Sequence, residues 1–299
     1  MSSTSAMQCI GISVKPHDER AVGLLGELQR WLLQLDKTVL IDRSVAERAE
    51  LDLATQQCQS VPVSSMADRV DLMIVLGGDG TLLHAARHFI GSGTPILGIN
   101  LGRLGFLTDT PVGNMFDVVE QVMQGNLQIT QHDALHVEVM RRDQRLAEGY
   151  AMNDVVLERS AVPRMIGFEM AIQGQFVFRM RGDGLILATA AGSTAYALSA
   201  GGPIVHPSVD AITVVPVCPH TLSNRPIVVP ADDVVELKLV EAPHCAGLNL
   251  DGVELMQLHE DDHIVIRKGG AISLVYLPGR HYFEVLRSKL QWAGQLETR

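Results

Sequence analysis

The chain has 299 residues, of which 46% are hydrophobic and 19% charged, so it is long enough to form two domains with ample cores. Its net charge of -10 disfavours binding to nucleic acid or to anionic membranes, and an aromatic content of 4% disfavours stacking platforms for single strands. The four cysteines lie far apart, which argues against a paired metal or redox motif and fits a reducing, cytoplasmic setting. Residues 1–5 lack the pattern of a signal peptide, and no apolar run approaches membrane-spanning length.

The first part of the chain alternates predicted strands with predicted helices. Helices are predicted over 18–35, where apolar residues recur at spacings of three and four, and over 115–123. Strands are predicted over 9–14, 38–41, 71–76 and 95–99. This alternation predicts a parallel sheet with helices on both faces, in which ligands bind at the carboxyl ends of the strands.

After about residue 125 the sequence becomes rich in predicted strands with short polar breaks between them. No long helix separates these strands, so the pattern predicts an antiparallel, β-rich second domain. A short helix is predicted over 193–200, where Gly-Gly-Pro at 201–203 ends it, and a last helix is predicted over 282–292.

The turn at 77–81 (Gly-Gly-Asp-Gly-Thr) joins the strand at 71–76 to a helix-like run at 82–90. Glycines and a helix start favour phosphate there, because free N–H groups and the positive end of the helix dipole face the turn. Asp79 is unfavourable beside a phosphate unless it binds a metal or accepts a proton. The alternative is a plain connection in which Asp79 caps the helix. The turn matches neither Walker A nor the dinucleotide fingerprint.

Three further stretches carry polar or small residues where a ligand could bind. The loop at 100–109 contains Phe106, which either stacks on a ligand or fills a domain interface. The pair at 153–154 (Asn-Asp) interrupts an apolar strand and suits sugar hydroxyls, although a solvated strand edge is equally consistent. The run at 192–196 opens the short helix with small and hydroxyl residues and favours an anion.

Residues 259–263 (His-Glu-Asp-Asp-His) match the zinc-protease pattern, but the sequence argues against a zinc site. That chemistry needs both histidines on one face of a helix, whereas strand-like runs flank this segment and predict a turn.

Taken together, these motifs resemble the NAD kinase family along essentially the whole chain. The turn at 77–81 is also similar to that of diacylglycerol kinase, sphingosine kinase and phosphofructokinase relatives. The more specific stretches are 102–109 (Gly-Arg-Leu-Gly-Phe-Leu-Thr-Asp), 153–154 and 183–207, whose order and separations also match. The similarity is greatest to the bacterial, NAD-using branch.

The resemblance implies an α/β domain over 1–128, to which 279–299 returns, and a β-rich NAD-binding domain over 129–278. It implies that ATP phosphorylates the adenosine ribose 2′-hydroxyl of NAD to give NADP. It further implies a divalent metal ion such as Mg2+, whose protein ligands are not assigned, and a homodimer or homotetramer with the dinucleotide site between the domains.

The resemblance also implies roles for particular residues. Asp79 matches the proton acceptor, Phe106 lines the adenine pocket, and Asn153 with Asp154 holds ribose hydroxyls. The ATP phosphates are expected at Gly77, Gly78, Gly80 and Thr81. The full set of implied NAD-binding residues is Asp79, Gly80, Phe106, Asn153, Asp154, Arg164, Arg181, Asp183, Ala188, Thr194, Ala195, Tyr196, Ala197, Leu198 and Ser199.

Two positions depart from the family pattern. Residues 189–191 read Thr-Ala-Ala where Thr-Pro-Thr is usual, which predicts a looser backbone, and Val253 stands where a glutamine is frequent. Two other functions therefore stay open. A lipid kinase would share the glycine turn, and a non-catalytic dinucleotide sensor would keep the pocket without the reaction.

Overall fold

The computed structural model describes residues 7–15, 18–46, 57–102, 105–160, 164–221, 224–242 and 246–292. Residues 1–5, residues 103–104 of the 102–109 motif, and Cys245 lie outside the described residues. The chain divides into two compact units. Unit 1 comprises residues 1–131 and 272–299, and unit 2 comprises residues 132–271.

Unit 1 begins with alternating strands and helices. These elements are β1 (Cys9–Val14), α1 (Glu19–Gln34), β2 (Thr38–Asp42), α2 (Arg43–Ala46), β3 (Cys58–Val61), β4 (Leu72–Leu76), α3 (Asp79–Ala86), β5 (Pro95–Asn100), β6 (Thr110–Pro111) and α4 (Met115–Met123). Strand β7 (Gln128–Arg141) then carries the chain into unit 2.

The remaining elements follow in chain order. They are β8 (Gln144–Ala151), β9 (Asp154–Arg159), β10 (Ile166–Ile172), β11 (Gln175–Gly182), β12 (Gly184–Thr189), α5 (Tyr196–Ser199), β13 (Ala211–Val217), β14 (Ile227–Pro230), β15 (Val235–Glu241), β16 (Ala246–Leu250), β17 (Val253–Leu258), β18 (His263–Tyr276) and α6 (Tyr282–Leu290). The last residues of β18 and all of α6 belong to unit 1.

The main sheet of unit 1 is parallel and runs in the order β3, β2, β1, β4, β5 and the end of β18. After β1 the chain first builds toward β3 and then returns to add β4 on the other side. This reversal makes a topological switch point between β1 and β4, and parallel sheets bind ligands at the carboxyl ends of strands at such a point.

Apolar side chains explain why these elements pack. Leu25, Leu28 and Leu32 of α1 fall on one helix face and are fully buried, while Asp18 caps the helix through the N–H groups of Arg20 and Ala21. Strand β4 is buried along its whole length, as expected for a central strand covered on both faces.

Unit 2 is built from two antiparallel sheets. One contains β11, β10, β15, the start of β18, β7 and β8, and the other runs in the order β14, β13, β12, β9, β16 and β17. The inner faces share one apolar core, which includes Phe168 and Leu237 from the first sheet and Leu157, Leu187 and Leu248 from the second.

The structure confirms the predicted fold class, a parallel α/β part followed by a β-rich part. Helix α4 has the predicted bounds, 115–123. The helix predicted over 193–200 is interrupted, because a 3-10 turn (Ala191–Thr194) and α5 are separated by Ala195 in a non-helical conformation. Among the described residues, no helix is both long and apolar enough to cross a membrane.

Candidate functional site

The Asp79 carboxylate is held by the loop that follows β5. Its Oδ2 accepts the N–H of Phe106 at 2.8 Å, and its Oδ1 accepts the N–H groups of Leu107 at 3.2 Å and Thr108 at 2.9 Å. The hydroxyl of Thr108 also donates to Oδ1, at 2.8 Å. Asp79 is the first residue of α3, but the helix cap is Gly78. The carboxylate is therefore fixed in one orientation by the loop and does not cap its own helix.

A glycine allows the loop to approach Asp79 this closely, and a second glycine allows the turn at 77–81 to fold tightly on Thr81. A Cβ at Gly105 would lie 1.8 Å from Asp79 Oδ1, and a Cβ at Gly77 would lie 2.5 Å from the Thr81 hydroxyl. Neither position can carry a side chain without moving the turn. In contrast, a Cβ at Gly78 or Gly80 would meet no atom within 4 Å, so these two glycines leave open space at the helix start.

A cleft of about 340 Å³ lies at the switch point of the unit 1 sheet. Gly78, Gly80 and Thr81 of the turn line one side of it, as does His84 of α3. The ends of β1 and β2 contribute the other wall, which includes Ser13, Lys15, Asp42 and Ser44. The cleft thus brings a lysine and hydroxyl groups to the start of a helix, a combination that suits phosphate, together with a carboxylate that is favourable beside phosphate only with a cation between them.

In unit 2, the Asp251 carboxylate fixes the backbone of the predicted ribose pair. It accepts the N–H groups of Met152 at 2.9 Å, Asn153 at 2.7 Å and Asp154 at 3.1 Å. In return, the N–H of Asp251 donates to the carbonyl of Asp154 at 3.0 Å. Asp251 adopts a left-handed conformation with φ of 50°, which turns the chain tightly between β16 and β17. Asn153 and Asp154 are therefore set by a rigid local network.

The Asp154 side chain is buried and lies close to Asp251. Burial raises the pKa of Asp154 to about 6, the nearby Asp251 carboxylate adds to the rise, and the N–H of Tyr196 opposes it. The contact with Tyr196 joins Asp154 to the start of α5. Ala188 lies opposite Asp154 in the pairing of β12 with β9.

The segment that precedes α5 packs directly on Asn153. A Cβ at Gly192 would lie 1.9 Å from the carbonyl oxygen of Asn153, and the Thr189 N–H donates to that oxygen at 2.9 Å. The Thr189 hydroxyl donates to the Met152 carbonyl at 2.7 Å and accepts the Gly192 N–H at 2.9 Å. Thr189, the first residue of the departing stretch at 189–191, therefore ties this turn to the backbone of the Asn-Asp pair through its side chain.

The predicted positions 194–199 belong to this segment, but their side chains differ in exposure. Ala197 is fully buried against β12, whereas Tyr196 is 45% exposed. Tyr196 and Asp183 line a cavity of about 260 Å³ at one end of the six-stranded sheet, where Asp183 pairs with Arg159 at 2.8 Å. Val253, the second departure, is 51% exposed at the start of β17.

Two predicted arginines lie apart from that cavity. Arg181 is exposed on β11 and pairs with Glu241 at 3.1 Å, and Arg164 is exposed just before β10. Neither is among the described residues that line the cavity next to Asp183.

Residues 259–262 of the zinc-protease pattern form a turn between β17 and β18, as predicted, so its two histidines do not share a helix face. A second group of possible metal ligands comprises His136, Glu138 and Glu148, whose ligand atoms lie within 4.8 Å of one another. Arg145 pairs with Glu138 at 3.1 Å and with Glu148 at 2.6 Å. A guanidinium group therefore already neutralises these carboxylates, and the group is explained as an ion-pair network.

Sequence reasoning missed three residues that the structure brings to these sites, namely Lys15, Asp42 and Asp251. Lys15 and Asp42 follow from the strand order, because they stand at the carboxyl ends of β1 and β2, on the side of β4 where the sheet order reverses. Asp251 acts on backbone groups, and its only signal in the sequence is the Asp-Gly pair that marks a tight turn.

Comparison with known proteins adds two family models and many relatives. The model described as "ATP-NAD kinase N-terminal domain" matches residues 10–127, and the "ATP-NAD kinase C-terminal domain" model matches residues 152–275. An NAD kinase of Magnetococcus marinus is 39% identical over 294 residues, covering 98% of this chain and 96% of that protein. An NAD kinase of Nitrosospira multiformis is 40% identical over 292 residues, covering 97% of this chain and 98% of that protein.

Two solved structures have a similar fold. Yeast NADH kinase, complexed with NADH, superposes with a TM-score of 0.86 at 28% identity and covers 99% of this chain and 90% of that chain. An NAD kinase from Archaeoglobus fulgidus in complex with ATP has a TM-score of 0.70 at 24% identity, covers 95% of this chain and 99% of that chain, and supports the fold alone.

Proposed function

The chain belongs to the NAD kinase family, and from this premise we propose that it transfers the γ-phosphate of ATP to the 2′-hydroxyl of the adenosine ribose of NAD, giving NADP. The observation that carries the proposal is the fixed carboxylate of Asp79 beside the glycine turn. A phosphoryl transfer needs an oriented acceptor hydroxyl and neutralised phosphate charge more than covalent help from the protein.

Asp79 Oδ2 is the oxygen atom that accepts a hydrogen bond from the ribose hydroxyl in this proposal. Three of the four hydrogen bonds described for this carboxylate go to Oδ1, and one goes to Oδ2. A carboxylate oxygen can accept more than one hydrogen bond, so Oδ2 keeps capacity for a hydroxyl. Asp79 then accepts the hydroxyl proton as the oxygen attacks phosphorus.

Asn153 and Asp154 of unit 2 are assigned to the hydroxyl groups of the ribose. Their backbone is fixed by Asp251 and by the turn at Gly192, so their side chains start from a defined position. This rigidity supports a positioning role, since reactions of bound groups gain rate from correct orientation. The other NAD contacts proposed from the family pattern are Gly80, Phe106, Arg164, Arg181, Asp183, Ala188 and 194–199.

The triphosphate of ATP is assigned to the unit 1 cleft. The free space beside Gly78 and Gly80 lets phosphate approach the N–H groups at the start of α3, and Lys15 supplies a positive charge. Thr81 and the close-packed Gly77 complete the turn.

The donors in this cleft fit a divalent cation such as Mg2+. The buried Asp42 carboxylate accepts the Ser13 hydroxyl at 3.1 Å and the Ser44 N–H at 3.2 Å. Carboxylate and hydroxyl oxygens are hard ligands, and Mg2+ binds proteins through one or two carboxylates together with substrate phosphates. Asp42 is the residue proposed to hold the ion, which supplies charge neutralisation to the phosphates when bound.

The experiment incubates the purified protein with NAD, ATP and Mg2+ and detects NADP with an NADP-specific dehydrogenase. The wild type is expected to form NADP. Asp79→Asn is expected to lower kcat by about 10²–10⁴, the usual contribution of a general base, with little change in the Kd for NAD. Asp117→Asn, which removes an exposed carboxylate on α4, is the matched control.

Three outcomes would count against the proposal. Tight NAD binding without NADP formation favours a dinucleotide sensor, and phosphorylation of an amphiphile in place of NAD favours a lipid kinase. Normal turnover by Asp79→Asn would indicate that Asp79 has a structural role and does not accept the proton.

The proposal also covers the oligomeric state and the cellular compartment of the protein. We expect a homodimer or homotetramer in a reducing, cytoplasmic environment, in keeping with Cys9, Cys58 and Cys218, which form no disulfide in the described part of the chain. Sedimentation of the purified protein measures the assembly, and a monomer at working concentration would contradict it.

A further inference from the structure

The loop that holds Asp79 is itself held from the opposite side by the C-terminal segment. Arg280 donates through Nη2 to the Phe106 carbonyl at 2.8 Å and through Nε to the Asp109 carboxylate. One guanidinium therefore joins the two ends of residues 106–109. All of these residues belong to unit 1, although Arg280 lies far along the chain from the loop.

Tyr276 contacts both Arg280 and the loop that Arg280 holds. The Arg280 guanidinium carbon lies 3.7 Å from the centroid of the Tyr276 ring, and the buried Tyr276 hydroxyl reaches the Leu107 carbonyl at 3.4 Å. The ring thus fixes the plane of the guanidinium by a cation–π contact. Carbonyl groups of the loop face this pair, while its N–H groups face Asp79.

Arginine is needed here for both charge and shape. The Asp109 and Arg280 side chains are each only 18% exposed. Burial raises the pKa of Asp109, and Arg280 opposes that rise. A planar fork can bind a carboxylate and a carbonyl at once, whereas the ammonium group of lysine cannot reproduce that geometry.

We propose that Arg280 is a positioning residue for the phosphoryl transfer, which acts through the loop at 105–109 to fix the Asp79 carboxylate. This inference rests on the proposed function. Without the guanidinium, the half-buried Asp109 loses its partner and the loop relaxes, so the three N–H groups no longer hold Asp79 in one orientation. Misplacing a catalytic group by about 1 Å lowers the rate by roughly 10²-fold.

The test compares Arg280→Lys with Arg287→Lys, a conservative change at an exposed arginine on α6 of the same segment. Arg280→Lys is expected to lower kcat by roughly 10²-fold, while the KM and the Kd for NAD rise by a much smaller factor, because the main loss is the orientation of Asp79 and Phe106 of the same loop is only one of the NAD contacts. The unfolding midpoint should stay close to that of the wild type. Arg287→Lys should leave all of these quantities unchanged.

A second variant separates positioning from folding. Arg280 lines a cavity of about 510 Å³ together with Gly105, Asp109 and Tyr276. In Arg280→Ala, added methylguanidinium can enter this space and pair with Asp109, so it should restore a measurable part of kcat. Lysine-like methylammonium should restore less, because it lacks the planar fork.

The outcomes distinguish failure of the proposed function from failure of the proposed role of Arg280. A wild type that forms no NADP contradicts the function, and an active Asp79→Asn contradicts the role of Asp79 and with it that of Arg280. Normal kcat in Arg280→Lys and Arg280→Ala, together with an inactive Asp79→Asn, overturns the Arg280 proposal alone. A parallel fall in kcat, NAD affinity and unfolding midpoint in Arg280→Lys also overturns it, because that result indicates a purely structural role.

Discussion

A Cβ atom at Gly105 would lie 1.8 Å from Oδ1 of Asp79. The N–H of Gly105 also donates to the carbonyl of Thr108 at 2.8 Å, which closes the tight turn around the carboxylate. The glycine is therefore required by the approach of the loop to Asp79. Its own φ lies outside the left-handed region, so contact rather than backbone strain sets the requirement.

Gly105→Ala is expected to displace the loop from Asp79 and lower kcat by roughly 10²-fold. The control is Gly113→Ala, since a Cβ at Gly113 meets no atom within 4 Å. Steady-state kinetics with NAD and ATP check the prediction. Equal kcat values for the two alanine variants would show that the loop does not position Asp79.

Asp251→Asn is expected to weaken the support of the ribose pair. The amide keeps one acceptor oxygen but replaces the other with donors that face the N–H groups of Met152 and Asn153. Losing charge-assisted bonds of this kind is worth about 1.5–3 kcal/mol, so NAD affinity and turnover should both fall by roughly ten-fold or more. Titration calorimetry with NAD and the NADP assay measure the two effects, and unchanged values for both would contradict the prediction.

Asp154→Asn is expected to stabilise the fold at neutral and higher pH while it lowers activity. The pKa of Asp154 is about 6 in the folded state, compared with about 3.9 for a solvated aspartate. The folded state therefore binds this proton more tightly than the unfolded state, so the ionised carboxylate destabilises the fold above pH 6. This penalty, at most about 3 kcal/mol, disappears as the pH falls toward 4.

The measurement is the unfolding midpoint of Asp154→Asn and wild type at pH 8 and pH 4. The variant should unfold at a higher temperature at pH 8 and at a similar temperature at pH 4. Asp68→Asn controls for the loss of an exposed carboxylate. A variant that is less stable than the wild type at pH 8 would mean that the charged form of Asp154 is needed for folding.

Lys15→Met is expected to raise the KM for ATP by roughly ten-fold or more, because a charge-assisted bond to phosphate is worth about 1.5–3 kcal/mol. The Kd for NAD should not change. Lys37→Met is a suitable control. Lys37 precedes β2, so it lies at the amino ends of the parallel strands, whereas the cleft lies at their carboxyl ends. A normal KM for ATP in Lys15→Met would show that the triphosphate does not bind in this cleft.

The sequence predicted those parts of the fold that depend on local apolar spacing. Leu28 and Leu32 belonged to the apolar stripe that predicted α1 and are fully buried, and the apolar run at 72–76 marked the strand before the glycine turn. The helix predicted over 193–200 is interrupted because Ala195 leaves the helical conformation, and alanine carries no signal for such a break.

The candidate sites were predicted less completely. Asp79 stood out because it is an acid in a glycine turn that otherwise suits phosphate, and residues 153–154 stood out because a polar pair interrupts an apolar strand. Asp42 and Asp251 did not, because their surroundings depend on strand order and on backbone N–H groups supplied by distant parts of the chain. A sequence pattern shows which side chain is present but not which amide it will bind.

The return of the last residues to unit 1 has a consequence during protein synthesis. Ser273 and Leu274 add the final strand beside β5, and Arg280 reaches the loop at 106–109. The ribosome makes these residues long after the glycine turn and the Asn-Asp pair. A chain cut short near residue 272 by a nonsense codon would keep every motif of its family and still lack the support of its reactive carboxylate, so an intact set of motifs in a truncated gene does not indicate a working product.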